Sequence, residues 1–390
     1  MVTPPEPPRL ARRAHGFGST IFGEMSALAL ATGSINLGQG FPDTDGPTVV
    51  LDAAVDAIRA GHNQYPPATG IPELRRAIAD HRSRRYGLVH DADTEVLVTA
   101  GATEAIAATM LALCEPGDEV VAFEPYYDSY AAAIALAGGV RVPVTLRAPD
   151  FRPDLARFAA SIGPRTRLAL VNSPHNPTGM VLADEELSEI ARLCVEHDLV
   201  AVTDEVYEHL VFEGEHHPLA SYPGMRERTV SISSAGKTFS VTGWKIGWVC
   251  GPPDLVAAVR TVKQFLTYVN GAPFQPAVAL ALDRADELVP PLVEALRAGR
   301  DQLVAGLTEV GFEVHRPAGT YFVTADAAPL GATDAFDFCR RLPHDTGVVA
   351  IPCPVFYDDP SVAPTLVRFA CCKRPEVLAE AVDRLHRLRR

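Results

Sequence analysis

Positive charge is scarce in this sequence: 35 lysines and arginines stand against 48 aspartates and glutamates, a net charge of −13. That balance argues against nucleic acid or an anionic membrane as the main partner, while leaving room for a locally basic small-molecule site. The seven cysteines (Cys114, Cys194, Cys250, Cys339, Cys353, Cys371 and Cys372) are odd in number and show no C-x-x-C spacing. They support neither a disulfide framework nor a zinc site, so we expect reduced thiols, no metal and a cytoplasmic protein. Residues 1–13 are rich in proline and arginine and lack an apolar run, which speaks against a signal peptide and for a mobile arm. The most apolar helix candidate, 105–113, is too short to span a bilayer. What remains is a chain of 390 residues, 47% hydrophobic and 21% charged, with the composition of a globular protein too long for one simple core.

Two nucleotide-binding motifs are each missing a part. Gly38-Gln39-Gly40 begins like a dinucleotide loop, but the third glycine is absent and Pro42 blocks the helix that should follow. Gly236-Lys237-Thr238 ends like a P-loop, yet Ser231 stands where the first glycine belongs. Neither fragment binds a nucleotide by itself.

The rhythm of the middle of the chain is α/β. Strand-length apolar runs at 95–99, 119–123, 167–171, 199–203, 229–232 and 247–250 alternate with helical stretches at 103–114, 127–137 and 183–196. Helices are also expected at 24–31, 47–59 and 72–85, the last with Pro72 near its start. Such alternation implies a mainly parallel sheet with helices on both faces. After Pro252 the pattern predicts a long helix past Arg260 to Tyr268, and more helix through Gln302. Short strands at 312–314, 321–324 and 366–369 then mark a second, smaller α+β domain. The expected division is 1–46 as arm and part of the small domain, 47–285 as the large domain and 286–390 as the remainder of the small one.

Ligands of open α/β sheets bind beyond the carboxyl ends of the strands, so the residues just after each run are informative. The first run is followed by Ala100-Gly101-Ala102-Thr103-Glu104, small residues opening a helix whose free N–H groups suit a phosphate. Tyr126-Tyr127 follows the second run and Asn172-Ser173-Pro174-His175-Asn176-Pro177-Thr178-Gly179 the third. The fourth ends in Asp204-Glu205-Val206-Tyr207, and the fifth leads into Ser233-Ser234-Ala235-Gly236-Lys237. Singly, these are an ordinary turn, a helix N-cap pair, core aromatics and a surface lysine. Together they supply a phosphate cradle, an aromatic plate, an amide, a carboxylate with a phenol, and a lysine. A flat, phosphorylated, carbonyl-bearing heterocycle with a basic ring nitrogen needs that set, and pyridoxal 5′-phosphate is such a ligand.

From about Thr20 onward the chain resembles the class I aminotransferases, which have the fold type I of pyridoxal-phosphate-dependent enzymes. The marks are Asn36-Leu37-Gly38-Gln39-Gly40-Phe41-Pro42-Asp43, Asn176-Pro177-Thr178-Gly179, Asp204-Glu205-Val206-Tyr207, Ser234-x-x-Lys237 with Thr242-Gly243-Trp244-Lys245, and Arg368-Phe369. Within the family it is most similar to the branch of kynurenine, methionine and N-succinyldiaminopimelate aminotransferases. Asn63-Gln64-Tyr65-Pro66-Pro67 and Gly271-Ala272-Pro273-Phe274-Gln275-Pro276 look most like the last of these.

The resemblance implies a large domain with a mainly parallel seven-stranded sheet and a ping-pong exchange of an amino group between an L-amino acid and a 2-oxo acid. It implies Lys237, Asp204 and Tyr207 as catalytic residues: Lys237 as the Schiff-base lysine and proton carrier, Asp204 as partner of the ring nitrogen. Tyr207 and Asn176 would hydrogen-bond the ring oxygen, with Tyr127 stacked on the ring. Ser234, Lys245 and the N–H groups of Ala102 and Thr103 would hold the phosphate, helped by Tyr65 from the other subunit of a homodimer. Arg368, with Asn176 and the Gly38 backbone, would take the substrate α-carboxylate. At Lys245 many relatives carry arginine, and Cys353-Pro354 falls where they often have a small polar residue. Phe17, Phe22, Tyr268, Phe274 and Phe356 are candidates for an apolar side-chain pocket, with N-succinyl-LL-2,6-diaminopimelate, methionine, glutamine or an aromatic amino acid as donor. A pyridoxal-phosphate-dependent C–S lyase, cyclase or oxidase would use the same lysine, aspartate and arginine and stays open as an alternative.

Overall fold

A computed structural model describes Gly18 and residues 20–389; Phe17 and the proposed arm at 1–13 lie outside the described residues. Helix α1 (Ile21–Thr32) and the two-residue strand β1 (Ile35–Asn36) are followed by α2 (Thr48–Arg59) and α3 (Pro72–Tyr86). The main sheet then forms in alternation: β2 (Val96–Thr99), α4 (Gly101–Leu113), β3 (Glu119–Glu124), α5 (Asp128–Leu136), β4 (Val140–Thr145) and α6 (Leu155–Ala160). It continues with β5 (Thr166–Asn172), α7 (Asp184–Glu196), β6 (Val200–Asp204), β7 (Thr229–Ser234), the single turn α8 (Ala235–Thr238) and β8 (Gly247–Cys250). Helices α9 (Pro253–Lys263), α10 (Phe274–Asp283) and α11 (Ala285–Val310) lead to β9 (Glu313–His315) and β10 (Phe322–Asp326). The chain closes with α12 (Ala335–Thr346), β11 (Val348–Val349), β12 (Ile351–Pro352), β13 (Leu366–Ala370) and α13 (Pro375–Leu385).

The seven strands of the main sheet lie in the order β2-β8-β7-β6-β5-β3-β4. All run parallel except β8, which is antiparallel to both β2 and β7. One face packs Leu97, Val120, Leu168, Val202, Val230 and Ile232 against α4 and α9. The other carries Val121, Phe123, Ala169, Val171 and Ala201, covered in part by Leu187, Ile190 and Cys194 of α7. A parallel sheet buried on both faces reads as continuous Val/Leu/Ala runs, which is why these strands are legible from sequence.

β4 is not, and its sequence shows why. Pro143 interrupts Val-Arg-Val-Pro-Val-Thr, and the structure tolerates it because β4 pairs only with β3, at the sheet edge. A second difference falls after Pro252. The predicted helix to Tyr268 stops at Lys263, whose buried ammonium donates to the carbonyls of Ala68 (2.9 Å) and Tyr268 (2.7 Å). The chain folds back over that ammonium with Tyr268 in the left-handed region (φ 65°).

The last part of the chain builds an antiparallel sheet, β12-β13-β10-β9. Residues near the N-terminus pack with this part of the chain: β1 pairs in parallel with β11 in a separate two-stranded sheet, and Met25, Ala29 and Leu37 share a core with Val348, Val349 and Ile351. The glycine loop after β1 is thereby carried to the carboxyl edge of the main sheet, against β10 and β13. No helix among the described residues is long and apolar enough to cross a membrane.

Candidate active site

The pleat sorts the strand-end residues. On β6, Val202 and Asp204 point toward α4 while Ala201 and Thr203 point away; on β7, Val230, Ile232 and Ser234 share the α4 side. The polar residues therefore extend an apolar face to where the sheet ends and α4 begins. A cavity of about 320 Å³ opens there, within the range of small-molecule sites. Ala102, Thr103, Tyr127, Asn176, Asp204, Tyr207, Ser234, Lys237, Lys245 and Arg368 all line it. The Gly38 carbonyl reaches it through Arg368, whose Nη2 donates to it at 3.1 Å.

At one end stands the N-terminus of α4, which has no side-chain cap. Gly101 sits at φ 75°, and a methyl group there would come within 3.1 Å of the Lys245 ammonium. A cation held at the positive end of a 13-residue helix is poorly placed unless an anion lies between them. Asn270 fixes the arrangement by donating to the carbonyls of Thr99 (3.1 Å) and Lys245 (2.9 Å). The donor set suits a phosphate.

Asp204 lies on the floor. Burial raises its carboxyl to about 6, while a 2.5 Å hydrogen bond from the Tyr130 hydroxyl, the Val206 N–H and the nearby Lys237 pull the other way. One phenol and one amide leave capacity for a cationic N–H on this buried carboxylate. Lys237, on the turn after β7, has its amine lowered to about 8 by burial, against the raising influence of Cys372 and Asp204. A lysine so placed is neutral often enough near neutral pH to act as a nucleophile.

Arg368 marks the opposite wall. Arg368 is 1% exposed, and its side-chain hydrogen bonds among the described residues go to neutral oxygens. Nη1 donates to the Asn176 side-chain oxygen (3.0 Å), Nη2 to the Gly38 carbonyl, and Nε has no partner among the described residues. Phe322 lies under it at 3.9 Å, with Phe22 at 5.1 Å and Phe356 at 5.3 Å. A buried guanidinium bonded only to neutral oxygens is costly, and an incoming carboxylate relieves that cost.

Other candidates fall elsewhere. Tyr65 is 82% exposed and meets Tyr268 edge-on at 5.7 Å, away from the cavity. Phe274 stacks on Trp244 at 4.7 Å and belongs to a different core. Sequence reasoning missed Tyr130, Tyr321, Phe322 and Asn172. Asn172 accepts from the Asn176 N–H (2.8 Å) and donates to the Asp204 carbonyl (2.8 Å), tying the ends of β5 and β6 together. Tyr130 lies in the first turn of α5, and its ring meets that of Tyr127, the residue just before the helix, edge-on at 5.7 Å.

Behind the sheet, Glu205, Glu208 and His216 bring three ligand atoms within 4.8 Å of one another. Arg82 already supplies positive charge there: Nη1 lies 3.0 Å from Glu205 and Nη2 donates to Ser231. Burial alone would raise the Glu205 carboxyl, but Arg82, His216 and the Thr203 hydroxyl together outweigh it and hold the group well below the usual range. This network anchors the back of β6 and β7, whose next residues form the cavity.

A doubly wound sheet with a lysine, a carboxylate and an anion cradle at its carboxyl edge defines a fold-type-I pyridoxal-phosphate-dependent enzyme. The chain belongs to the family "Aminotransferase class I and II", whose profile matches residues 32–385. The probable N-succinyldiaminopimelate aminotransferase of Mycobacterium tuberculosis is 55% identical to it over 385 residues, 96% of this chain and 97% of that one. The methionine aminotransferase of Escherichia coli is 42% identical over 372 residues, 95% of this chain and 96% of that one. A solved structure of N-succinyldiaminopimelate aminotransferase from Mycobacterium tuberculosis superposes with a TM-score of 0.96 at 55% identity, covering 97% of this chain and 100% of that one. The protein is thus an aminotransferase that depends on pyridoxal 5′-phosphate and moves an amino group between an amino acid and a 2-oxo acid.

Proposed function

We propose that this chain is an N-succinyl-LL-2,6-diaminopimelate aminotransferase working by a ping-pong mechanism with 2-oxoglutarate or pyruvate as acceptor. The observation that carries the reading is the buried guanidinium of Arg368, bonded only to neutral oxygens, lining one cavity with the Lys237 amine. When bound, pyridoxal 5′-phosphate supplies an aldehyde for the amino group and a ring that accepts electrons from the substrate's α-carbon. Lys237 Nζ would hold the cofactor and, once released, would carry the α-proton across. Asp204 would accept the ring N–H, Tyr207 and Asn176 would hold the ring oxygen, and Tyr127 would lie against the ring. Ser234, Lys245 and the N–H groups of Ala102 and Thr103 take the phosphate. Arg368, with Asn176 and Gly38, orients the substrate through its carboxylate.

The side-chain preference follows from charge. Among the described residues the cavity's lysines and arginines are Lys237, Lys245 and Arg368, each with one of the roles above. A short acidic side chain finds no cation of its own, whereas Phe22 and Phe322 suit a chain that is apolar near its α-carbon and polar further out. The 55% identity to the probable N-succinyldiaminopimelate enzyme supports the succinylated donor. We expect kcat/KM to rank it above methionine, phenylalanine and kynurenine, with aspartate about 100-fold lower because its buried carboxylate goes unpaired. Aspartate as the best donor would overturn this choice.

The working unit is a homodimer in the cytoplasm. Exposed Tyr65, Phe265, Leu266 and Tyr268 support a shared face, and the seven free, buried cysteines suit a reducing compartment. The division at residues 47 and 285 is supported by the separate sheets, with residues 20–46 joining the C-terminal part. If Tyr65 serves the partner's phosphate, mixing Tyr65→Ala with Lys237→Ala subunits restores one complete site per heterodimer. Activity should then rise above that of either parent; no gain would mean that Tyr65 acts within its own chain.

A further inference from the structure

Tyr321, just before β10, makes contacts that the assigned chemistry does not use. Its hydroxyl lies 2.7 Å from Lys237 Nζ and 2.6 Å from the Gly40 carbonyl, and Nζ itself is 3.4 Å from that carbonyl. The ring is buried, edge-on to Tyr207 at 5.3 Å and to Phe322 at 4.9 Å. Its backbone carbonyl accepts from the Cys371 N–H at 2.8 Å, which fixes it to the end of β13. The glycine loop has equally little freedom: a methyl at Gly40 would meet the Phe322 ring at 2.4 Å and the Tyr321 ring at 3.1 Å. Hydroxyl, carbonyl and amine are therefore held by rigid neighbours.

Donor and acceptor roles follow from the atoms. The Gly40 carbonyl can only accept, so the single hydroxyl proton of Tyr321 goes to it. The hydroxyl then faces Lys237 with lone pairs alone, and Nζ must donate to it. A neutral amine so bound spends one N–H on Tyr321 and keeps its own lone pair free and aimed elsewhere. An ammonium in the same place gains a charge-assisted hydrogen bond.

We propose that Tyr321 is a positioning residue that seats the Lys237 amine whenever that amine is not bonded to the cofactor, orienting its lone pair toward the substrate for proton transfer. This rests on Lys237 being the Schiff-base lysine. The glycine loop then serves both sides of the reaction, with Gly38 bonded to the arginine that binds the substrate carboxylate and Gly40 setting the direction of the Tyr321 hydroxyl.

Tyr321→Phe removes one oxygen and keeps the ring. Asp204, Cys372, Arg368 and Lys245, whose charges act on Lys237, all remain, as does Tyr207, whose ring lies 5.7 Å from Nζ. In cofactor-free protein, the pH dependence of Lys237 labelling by an amine reagent, read by peptide mass spectrometry, should show an apparent pKa about one unit below wild type. The lower value reflects an ammonium that has lost its acceptor. In the loaded enzyme kcat should fall about 10-fold, with KM and cofactor affinity within about 3-fold. An unchanged labelling profile overturns the proposal, whether or not kcat falls. Borohydride that fails to fix the cofactor on wild-type Lys237 would overturn the underlying assignment instead, so the two failures are distinct.

Discussion

Lys237→Ala protein should fold, bind pyridoxal 5′-phosphate and turn over at least roughly 10⁴-fold more slowly than wild type. The expected loss is large because the proposed mechanism gives one amine two jobs. It would hold the cofactor, and it would carry the proton at the α-carbon from its place beside the Tyr321 hydroxyl in the cavity. No other lysine can replace it: Lys245 stands at the α4 N-terminus, on the anion cradle. Folding should survive, because the turn Ala235–Thr238 is held by Ala235, Gly236 and Thr238, all buried, and not by the lysine side chain. Circular dichroism and a thermal melt check the fold, and steady-state rates with an external amine added or withheld check the chemistry. Near wild-type turnover would remove Lys237 from the mechanism.

Asp204→Ala should lower kcat by about 100-fold or more while cofactor still binds. The carboxylate lies on the floor of the cavity, bonded to Tyr130 and the Val206 N–H, where burial already raises it to about 6. It is kept charged by what faces it, and a ring N–H is the natural partner. Removing it takes away preorganised charge that would matter most when electrons move onto the ring, whereas the proposed phosphate cradle of Ala102, Thr103, Ser234 and Lys245 is untouched. Asp204→Asn keeps the shape but not the charge, so it should lie close to the alanine variant. Unimpaired turnover in both would move the ring-nitrogen partner elsewhere.

The parts of this site that are legible in the sequence share a physical reason. A parallel strand buried on both faces is a plain apolar run, so the polar residues immediately after it stand out: Ala102-Thr103, Tyr127, Asn176, Asp204 and Tyr207, Ser234 and Lys237. All of these line the cavity. Arg368 carries no such mark. It sits within β13, flanked by Val367 and Phe369, and only family resemblance points to it. Tyr321, just before β10, and Phe322, its first residue, look like core, because nothing local reveals that the glycine loop packs on them from 281 residues away in sequence. Pro143 hides β4 because the rule that keeps proline out of sheets applies to interior strands, and β4 lies at the edge. Tyr268 reads as helical, but the buried ammonium of Lys263 bonds its carbonyl and turns the chain.

The account's central claim is amino-group exchange at Lys237, and one half-reaction tests it most directly. Purified, loaded enzyme is mixed with N-succinyl-LL-2,6-diaminopimelate and no acceptor, and its visible absorption is followed. The aldehyde-form band should give way to the amine-form band in a single turnover, without free ammonia, and 2-oxoglutarate or pyruvate should restore it. An unchanged band, or ammonia released with no accumulation of the amine form, would contradict the account.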